Sequence, residues 1–465
     1  MNKIERAKYW LKIAIARELG FIDAGNGEEW TREEMVEWSD ELIDTTIWPR
    51  LNSFENICRF IHGKGDYKGL DPKFQNGSLA RRADEWPAWE AIKEFKAIED
   101  GATESDFVFH LDGKANGLQH MAAVLRDKKT GEAANILEIS GRPKDPYGIL
   151  SNSAQEFPQN VHPSGIAANQ AVKTLGRDMA KTPLMILCYG ASQNTIENNI
   201  TNTLIKYHLS ADARLVYKQY MAAVKEEFPA TLLVTKLITE AMERRLTAQF
   251  GPADDRGNRI RPKMINLQKG YRPDGVKRQD WKKVKKEGDY WSYADLKLRE
   301  VGDEWMDQHG KTWQKELEDE DVQITWYTQD GFYCKQLEFN EEDALVRAGS
   351  IVVKTEEHCR YDYRKMLGAA SPNFIHSIDA NHARRTAIKC NFELLTIHDS
   401  YGCHITDVDD LIENITEAFV ETHSYDALNH FLERIWLGDD QEKARHWVIP
   451  EFEIDECLKA TYMFS

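Results

Sequence analysis

Two short apolar segments in opposite halves of the chain each deliver an aspartate, and they constrain the possible folds most strongly. Residues 106 to 112 (DFVFHLD) predict a strand that ends at Asp112. Residues 392 to 406 (FELLTIHDSYGCHIT) predict a hairpin whose tight turn holds Asp399. Most of the remaining pattern is helical, so the sequence favours an α+β protein in which a small antiparallel sheet is surrounded by helices.

The two aspartates would converge if these strands are neighbours in one sheet. A carboxylate at a strand end is held rigidly and points into open space, and two of them form an oxygen-rich site that suits magnesium. Two such ions, about 4 Å apart, can activate a hydroxyl nucleophile and stabilise a leaving phosphate. For either aspartate alone, ordinary turn chemistry is the competing interpretation.

A helical segment, GRDMAKTPLMILCYG, is the third informative feature. Arg177, Lys181, Met185 and Tyr189 follow one another at intervals of four, which places them on one broad helix face. Two cations and an aromatic ring on one face could grip a triphosphate and stack against a base or ribose. The charged start of an amphipathic helix is the alternative, and Pro183 predicts a kink within the segment.

The remaining patterns predict mostly helices and one further hairpin, which turns at Asp330-Gly331 within residues 323 to 337. Helices are predicted over residues 1 to 100 with an N-cap at Thr31, 115 to 126, 165 to 189 with a stop at Gly190, 211 to 249 as one helix or a pair, and 410 to 435. Four side chains at helical spacing are expected in the core: Trp86, Trp89, Ile92 and Phe95.

Length and composition limit the class of protein. A chain of 465 residues is too long for one compact core and suggests two or three lobes, and 42% hydrophobic residues argue against wholesale disorder. The sequence has no run of 18 apolar residues, so no membrane span is expected. Seven cysteines without a CxxC pair predict free thiols in a reducing cytoplasm.

The charge of the chain is strongly negative and unevenly spread. A net charge of −17 argues mildly against phosphate binding over the whole surface. Residues 256 to 286 nevertheless hold twelve Lys or Arg against two Asp, inside a Pro- and Gly-containing insertion at 251–320. This basic stretch is expected either to contact nucleic acid or a partner, or to be only a solvated loop.

Taken together, these segments closely resemble the single-subunit phage-type RNA polymerases, which are relatives of the family A DNA polymerases. The segment LDGKANGLQHMAAVLRD resembles motif A, RDMAKTPLMILCYG resembles motif B, and IHDSYG resembles motif C. Further segments of that family resemble, in chain order, YWLKI, DPYGI, SPNFIHSIDANH and the C-terminal ATYMFS. The order and spacing of the segments also fit the family. The resemblance implies a mainly helical right-hand polymerase fold with a small antiparallel palm sheet.

The resemblance also implies a set of catalytic roles. Asp112 and Asp399 would bind two Mg²⁺ ions, with the backbone carbonyl of Gly113 as a further ligand. Lys181 would contact the triphosphate and protonate the leaving pyrophosphate. The reaction would be DNA-directed RNA synthesis, with ribonucleoside triphosphates as substrates, DNA as template and RNA as product.

Substrate-binding roles follow from the same resemblance. Arg177 would contact phosphate, and Tyr189 would lie at the insertion site and help to sense the sugar. His376 would support ribose selection near the 2′-hydroxyl, Tyr147 would line the same pocket, and His398 would position the primer end. Two more residues, Asp379 and His382, are left open between a structural network and contact with substrate.

The choice between RNA and DNA synthesis rests on two positions. Related DNA polymerases resemble DxSxxE at motif A, where the glutamate blocks a ribose 2′-hydroxyl, whereas this chain has Gly117. Motif C reads HDS here, where those enzymes resemble HDE. Both differences favour ribonucleotides. A DNA polymerase or primase, and an inactive nucleic-acid-binding remnant, remain the alternatives.

The chain departs from the family before motif A. Family members have a thumb and a DxxGR strand there, whereas EISGR at residues 138 to 142 follows motif A. The chain therefore resembles the larger, catalytic chain of the split two-subunit phage RNA polymerases. That resemblance implies a smaller subunit that supplies the thumb and DxxGR strand, an accessory promoter-recruitment protein, and the cytoplasm of an infected bacterium as the location.

Three regions are predicted along the chain. Residues 1–130 would form an N-terminal helical part and the palm with motif A. Residues 131–330 would form the fingers, with motif B and the basic insertion. Residues 331–465 would complete the palm with motif C and add a helical tail, and the hairpin that reads promoters in relatives would fall between about 335 and 370.

Overall fold

A computed structural model describes most of the chain, although a few segments lie outside it. The described residues are 2–21, 23–64, 83–139, 141–158, 163–250, parts of 285–314, 324–336, 338–348, 351–361, 363–435 and 450–464. Residues 256 to 284, which hold most of the basic cluster, are outside the described residues. Of the described helices, none is long and apolar enough to cross a membrane.

The N-terminal part is helical, as predicted, and its helices begin at polar caps. It contains α1 (Lys3–Glu18), the two-stranded ribbon β1 (Asp23–Gly25) and β2 (Glu28–Glu29), α2 (Arg32–Ile43), α3 (Phe54–Ile61) and α4 (Glu85–Glu99). The Thr31 side chain accepts from the Glu34 amide, and the Glu34 carboxylate accepts from the Thr31 amide. This reciprocal capping box satisfies donors that the first helical turn leaves free, and it confirms the predicted N-cap.

The middle of the chain is a succession of helices that follow the first long strand. They are β3 (Val108–Asp112), α5 (Asn116–Leu125), α6 (Lys128–Ala133), α7 (Pro146–Gln155), α8 (Pro163–Leu175), α9 (Arg177–Cys188), α10 (Gln193–Lys206), α11 (Ala213–Glu227) and α12 (Pro229–Phe250). The stretch 165–189 is helical, as predicted, but it consists of two helices, because Gly176 has φ +51°, a left-handed conformation that glycine tolerates, and separates α8 from α9. The pattern over 211–249 is a pair of helices.

The last part alternates strands with long helices. It comprises β4 (Lys285–Glu287), β5 (Tyr290–Tyr293), β6 (Leu296–Val301), β7 (Glu304–Asp307), β8 (Thr312–Gln314), β9 (Thr325–Tyr327), β10 (Tyr333–Lys335), β11 (Phe339–Ala348), β12 (Ile351–Tyr361), α13 (Tyr363–Lys389), β13 (Leu394–Ile397), β14 (Ser400–His404), α14 (Val408–His423) and α15 (Ala427–Ile435). The hairpin β9–β10 confirms the predicted turn at Asp330-Gly331. A second hairpin, β11–β12, occupies the region in which the promoter-reading hairpin was expected.

One small sheet determines where the candidate site lies. Its order is β13-β14-β3, and both strand pairs are antiparallel. Strands from opposite halves of the sequence are therefore neighbours, as the convergence of the two aspartates required. The fold is mostly helical with small antiparallel sheets, as the sequence predicted.

The described residues form two hydrophobic cores, one of which includes this sheet. One packs α1 to α4 against one side of the sheet, α14 and the C-terminal residues, so that the two ends of the chain share it. The other unites α7 to α12 with parts of α13 and α15. The division into regions 1–130, 131–330 and 331–465 stays a prediction. Side chains of the last region enter both cores.

The predicted core positions in α4 need one correction. Ile92 and Phe95 are buried and Trp89 is half-buried, but Trp86 is 57% exposed, against Phe54 at the edge of the structure. Trp86 lies in the first turn of α4. The six cysteines whose side chains the structure describes are free thiols, as expected.

Candidate active site

Asp112 and Asp399 lie side by side at one end of the three-stranded sheet. Asp112 is the last residue of β3 and pairs in register with Ser400, the first residue of β14. Asp399 immediately precedes Ser400 in a two-residue turn, and its backbone carbonyl accepts from the Gly113 amide at 3.4 Å. The register therefore brings both carboxylates to the same strand ends.

The electrostatics of Asp112 reflect a shared, partly enclosed position. Burial in the cavity, and then the negative charge of Asp399, raise the pKa of Asp112 to about 6. The Gly113 amide and the charge of Lys181 act in the opposite direction but do not cancel the rise. Two like charges that are held together in this way favour a bound cation, and carboxylate oxygens are the ligands that Mg²⁺ prefers.

Asp112→Asn is expected to stabilise the metal-free protein at neutral pH. With a folded pKa near 6 against 3.8 unfolded, the ionised carboxyl opposes folding above pH 6, whereas below pH 4 both states are protonated. Because solvent in the cavity screens the charge, we expect a gain of only about 1 kcal/mol at pH 7, which fades as the pH falls from 6 to 4. Urea unfolding in EDTA measures it, and a loss of stability at pH 7 would contradict the assignment.

A cavity of about 520 Å³ opens beside the two aspartates. Helix α9 forms one wall, and Arg177, Lys181, Met185 and Tyr189 all line it. The predicted shared face therefore exists, and α9 runs without interruption through Pro183 from Arg177 to Cys188. The wall presents two cations and one aromatic ring to the same space as the aspartates, and cations of this kind can bind phosphate oxygens.

Arg177 has a protein partner in this structure. Its Nε donates to the buried carboxylate of Asp145 at 2.8 Å, and its guanidinium lies 5.2 Å from the centre of the Tyr147 ring. Burial alone would lower the pKa of Arg177, but Asp145 outweighs it and raises the pKa. Asp145 also caps α7 by accepting from the Tyr147 amide. The predicted phosphate contact of Arg177 stays a prediction.

The space at Gly117 is taken by protein atoms. A Cβ there would lie 3.1 Å from Cβ of Cys188 and 3.2 Å from Cζ of Tyr189. The absent side chain therefore lets the Tyr189 ring approach α5. The sequence predicted open room for a ribose hydroxyl at this glycine, whereas the structure places the Tyr189 ring there.

His376 and His398 lie next to these residues. The His376 ring stacks on Tyr189, with centroids 4.5 Å apart and an interplanar angle of 7°. Its other neighbour is His398, edge-on at 5.5 Å. Burial and the neighbouring His398 lower the pKa of His376, which favours a neutral ring that can donate or accept a hydrogen bond.

Asp379 and His382 belong to a buried polar network. Asp379 accepts from Asn116 at 2.7 Å and lies near His120 and His398. His382 is buried, with Nε2 3.0 Å from the Ile415 carbonyl, and burial and His120 lower its pKa to about 4. The structure therefore favours the structural interpretation for His382, whereas Asp379 extends towards the site.

Several cavity residues carried no sequence signal that singled them out. Arg17 lines the cavity and donates to the His110 carbonyl, and Lys114 pairs with Glu29. Arg32 is half-buried, donates to the Phe464 carbonyl and has a pKa lowered by burial. Arg17 and Arg32 lie on the first two helices, which reach the cavity because the two ends of the chain share one core.

The comparisons with known proteins point to one protein family. A family model for DNA-dependent RNA polymerase matches residues 5–451. Similar proteins include DNA-directed RNA polymerase 1, mitochondrial, of Arabidopsis thaliana (22% identical over 98% of this chain and 39% of that protein), the mitochondrial enzyme of Homo sapiens (23%, 99% and 33%) and the DNA-directed RNA polymerase of Pseudomonas phage phiKMV (23%, 90% and 43%).

The chain spans less than half the length of each of these relatives. Within that span the match runs from α1 to the C-terminal segment and includes both aspartates and helix α9. Because the family match covers nearly all of the 465 residues, the chain belongs to the DNA-dependent RNA polymerase family.

Proposed function

We propose that this chain is the catalytic chain of a DNA-directed RNA polymerase, which adds ribonucleotides to an RNA 3′ end on a DNA template. The observation that carries the proposal is the convergence of Asp112 and Asp399 beside a cavity walled by the cationic face of α9. Membership of the family supports the same reaction class.

The residues of the chain divide the work of nucleotidyl transfer. Asp112 and Asp399, with the Gly113 carbonyl, would hold two Mg²⁺ ions, which when bound activate the 3′-hydroxyl and neutralise charge on the leaving pyrophosphate. Lys181 faces the same cavity, so its ammonium can bind the triphosphate and supply a proton to the pyrophosphate oxygen. Arg177 adds a second cation on the phosphate side.

Sugar recognition falls to the stacked pair of Tyr189 and His376. Gly117 lets the Tyr189 ring sit against α5, and the neutral His376 ring can hydrogen-bond a 2′-hydroxyl. A site that is built around a hydrogen bond to this hydroxyl rejects a deoxyribonucleotide more strongly than one that merely has room for it. Tyr147 and His398 would complete the nucleotide and primer-end contacts.

Extension of an RNA primer on a DNA template tests the proposal directly. Incorporation should require a divalent cation and should favour ribonucleoside over deoxyribonucleoside triphosphates. Preference for deoxyribonucleotides would support a DNA polymerase of the same superfamily. Template binding without incorporation, even with partner proteins present, would support an inactive remnant.

A smaller partner subunit that supplies a thumb and the DxxGR strand is also part of the proposal. Strand β13 is one of the two outer strands of its sheet among the described residues, and Leu395 (47%) and Ile397 (62%) are exposed on it. Bare apolar edge strands invite pairing with another chain, and a basic partner would offset the net charge of −17. Full elongation activity of the purified chain alone on a primed single-stranded template would refute this part.

A further inference from the structure

Asp379 is a buried carboxylate that touches two parts of the site. It lies on α13 and is 5% exposed. One oxygen, Oδ1, accepts from Asn116 at the start of α5, 2.7 Å away. The other oxygen, Oδ2, lies 3.4 Å from Nε2 of His398. Asp379 therefore connects the segment after Asp112 to the turn that holds Asp399.

His398 is held between two carboxylates. Its Nδ1 lies 2.9 Å from Oδ1 of Asp399, while Nε2 faces Asp379. Its backbone has φ +57° at the first position of the two-residue turn, where glycine is the favoured residue. A histidine in this left-handed position costs about 1 kcal/mol relative to glycine, so its presence indicates that the ring contacts matter.

His398 also borders the sugar-recognition pair. Its ring meets His376 edge-on, and His376 stacks on Tyr189. The His398 imidazole thus contacts both Asp399, a proposed metal ligand, and His376, which stacks on Tyr189. A shift of that ring would disturb Asp399 and His376 at the same time.

We propose that Asp379 is a positioning residue that fixes the ring of His398, and through it both the Asp399 carboxylate and the His376–Tyr189 pair. Metal binding and sugar discrimination are thereby coupled by one chain of side-chain contacts that starts at the buried Asp379. The inference rests on the proposed function and extends it to a residue that does not itself line the cavity. Removal of a residue that holds metal ligands in position typically lowers metal affinity or activity by about 10- to 100-fold.

The charge state of Asp379 supports this role. Burial alone would raise its pKa, but the contacts with His120, Asn116 and His398 outweigh burial and hold the pKa at about 2. The carboxylate is therefore ionised; it accepts a hydrogen bond from Asn116 and lies at ion-pair distance from His398. Asparagine has the same shape but presents one oxygen acceptor instead of two, so Asp379→Asn removes the fixing interaction with little change in volume.

The first test compares kcat and KM. Asp379→Asn should lower kcat for ribonucleotides by about 10- to 100-fold with KM for the triphosphate within about twofold, and should narrow the preference for ribonucleotides. Asp330→Asn is the control, because Asp330 is also an ion-paired carboxylate but lies in the β9–β10 turn with Arg384. Unchanged kcat and sugar preference in Asp379→Asn would overturn the proposal.

Coupling to His398 is tested by a double-mutant cycle. His398→Gly should remain at least as stable as the parent, because it relieves the left-handed backbone, yet should lose activity to a similar degree as Asp379→Asn. Adding Asp379→Asn to His398→Gly should then lower kcat only slightly further. Losses that multiply would show that Asp379 acts through another route and would overturn the positioning role.

Mn²⁺ binding gives a readout that does not need catalysis. Titration of the full chain, followed by electron paramagnetic resonance, should show about tenfold weaker binding in Asp379→Asn and no change in Asp330→Asn. A parent chain that makes no RNA under any condition would count against the proposed function. An unshifted Mn²⁺ affinity in Asp379→Asn would count against the positioning role alone.

Discussion

Asp399→Asn is expected to reduce RNA synthesis by at least about a thousandfold, which corresponds to about 4 kcal/mol of lost transition-state stabilisation. The substitution removes one of the two carboxylates that converge at the strand ends and leaves the turn geometry in place. The pattern should be a fall in kcat rather than a rise in KM, because the stabilised charge develops during transfer. Primer extension under single-turnover conditions measures it.

Template binding is the control for this variant. Filter binding or fluorescence anisotropy with the primed template should give nearly the same affinity for Asp399→Asn as for the parent. Asp410→Asn, which removes one charge from an exposed position at the start of α14, should leave synthesis unchanged. If Asp399→Asn retained more than a tenth of the parent activity, the assignment of Asp399 as a metal ligand would be wrong.

Asp145→Ala has the largest expected effect on stability. The carboxylate is 1% exposed, pairs with Arg177 and caps α7. Its removal leaves the half-buried Arg177 guanidinium without its ion-pair partner and the Tyr147 amide without its acceptor. We expect a loss of about 2 to 4 kcal/mol, less than the sum of the separate effects because the two interactions share one side chain. Urea denaturation followed by circular dichroism measures the loss.

Two further variants separate charge from capping at this position. Asp145→Asn keeps an oxygen acceptor for the cap and loses only the ion pair, so its cost should lie well below that of alanine. Asp178→Ala removes an exposed carboxylate from the same turn of α9 as Arg177 and should cost less than about 1 kcal/mol. Equal costs for Asp145→Ala and Asp178→Ala would contradict the role given to the buried pair.

The sequence predicted those features that depend on local pattern. The strand ending at Asp112, the turn around Asp399 and the face of α9 follow from alternation, turn chemistry and four-residue spacing. The capping box at Thr31 is equally local. The pairing of β14 with β3 could be posed only as a condition, because no local pattern specifies which distant strand is a neighbour.

The features that escaped prediction depend on tertiary contacts. The break between α8 and α9 depends on the positive φ of Gly176. A glycine in the sequence permits this conformation but does not show that it is adopted. The contact between Tyr189 and Gly117 joins α9 to α5. The contact between Asp379 and His398 joins α13 to the β13–β14 turn. Spacing along the sequence carries no information about such approaches, so only the folded arrangement reveals them.

Anomalous diffraction from crystals of the protein soaked in Mn²⁺ with a primed template and a non-reactive ribonucleotide tests the central claim most directly. We predict two peaks within about 2.5 Å of carboxylate oxygens of Asp112 and Asp399. Peaks that appear instead only at another set of ligands, such as the buried group of His120, Asp379 and His382, would contradict the account.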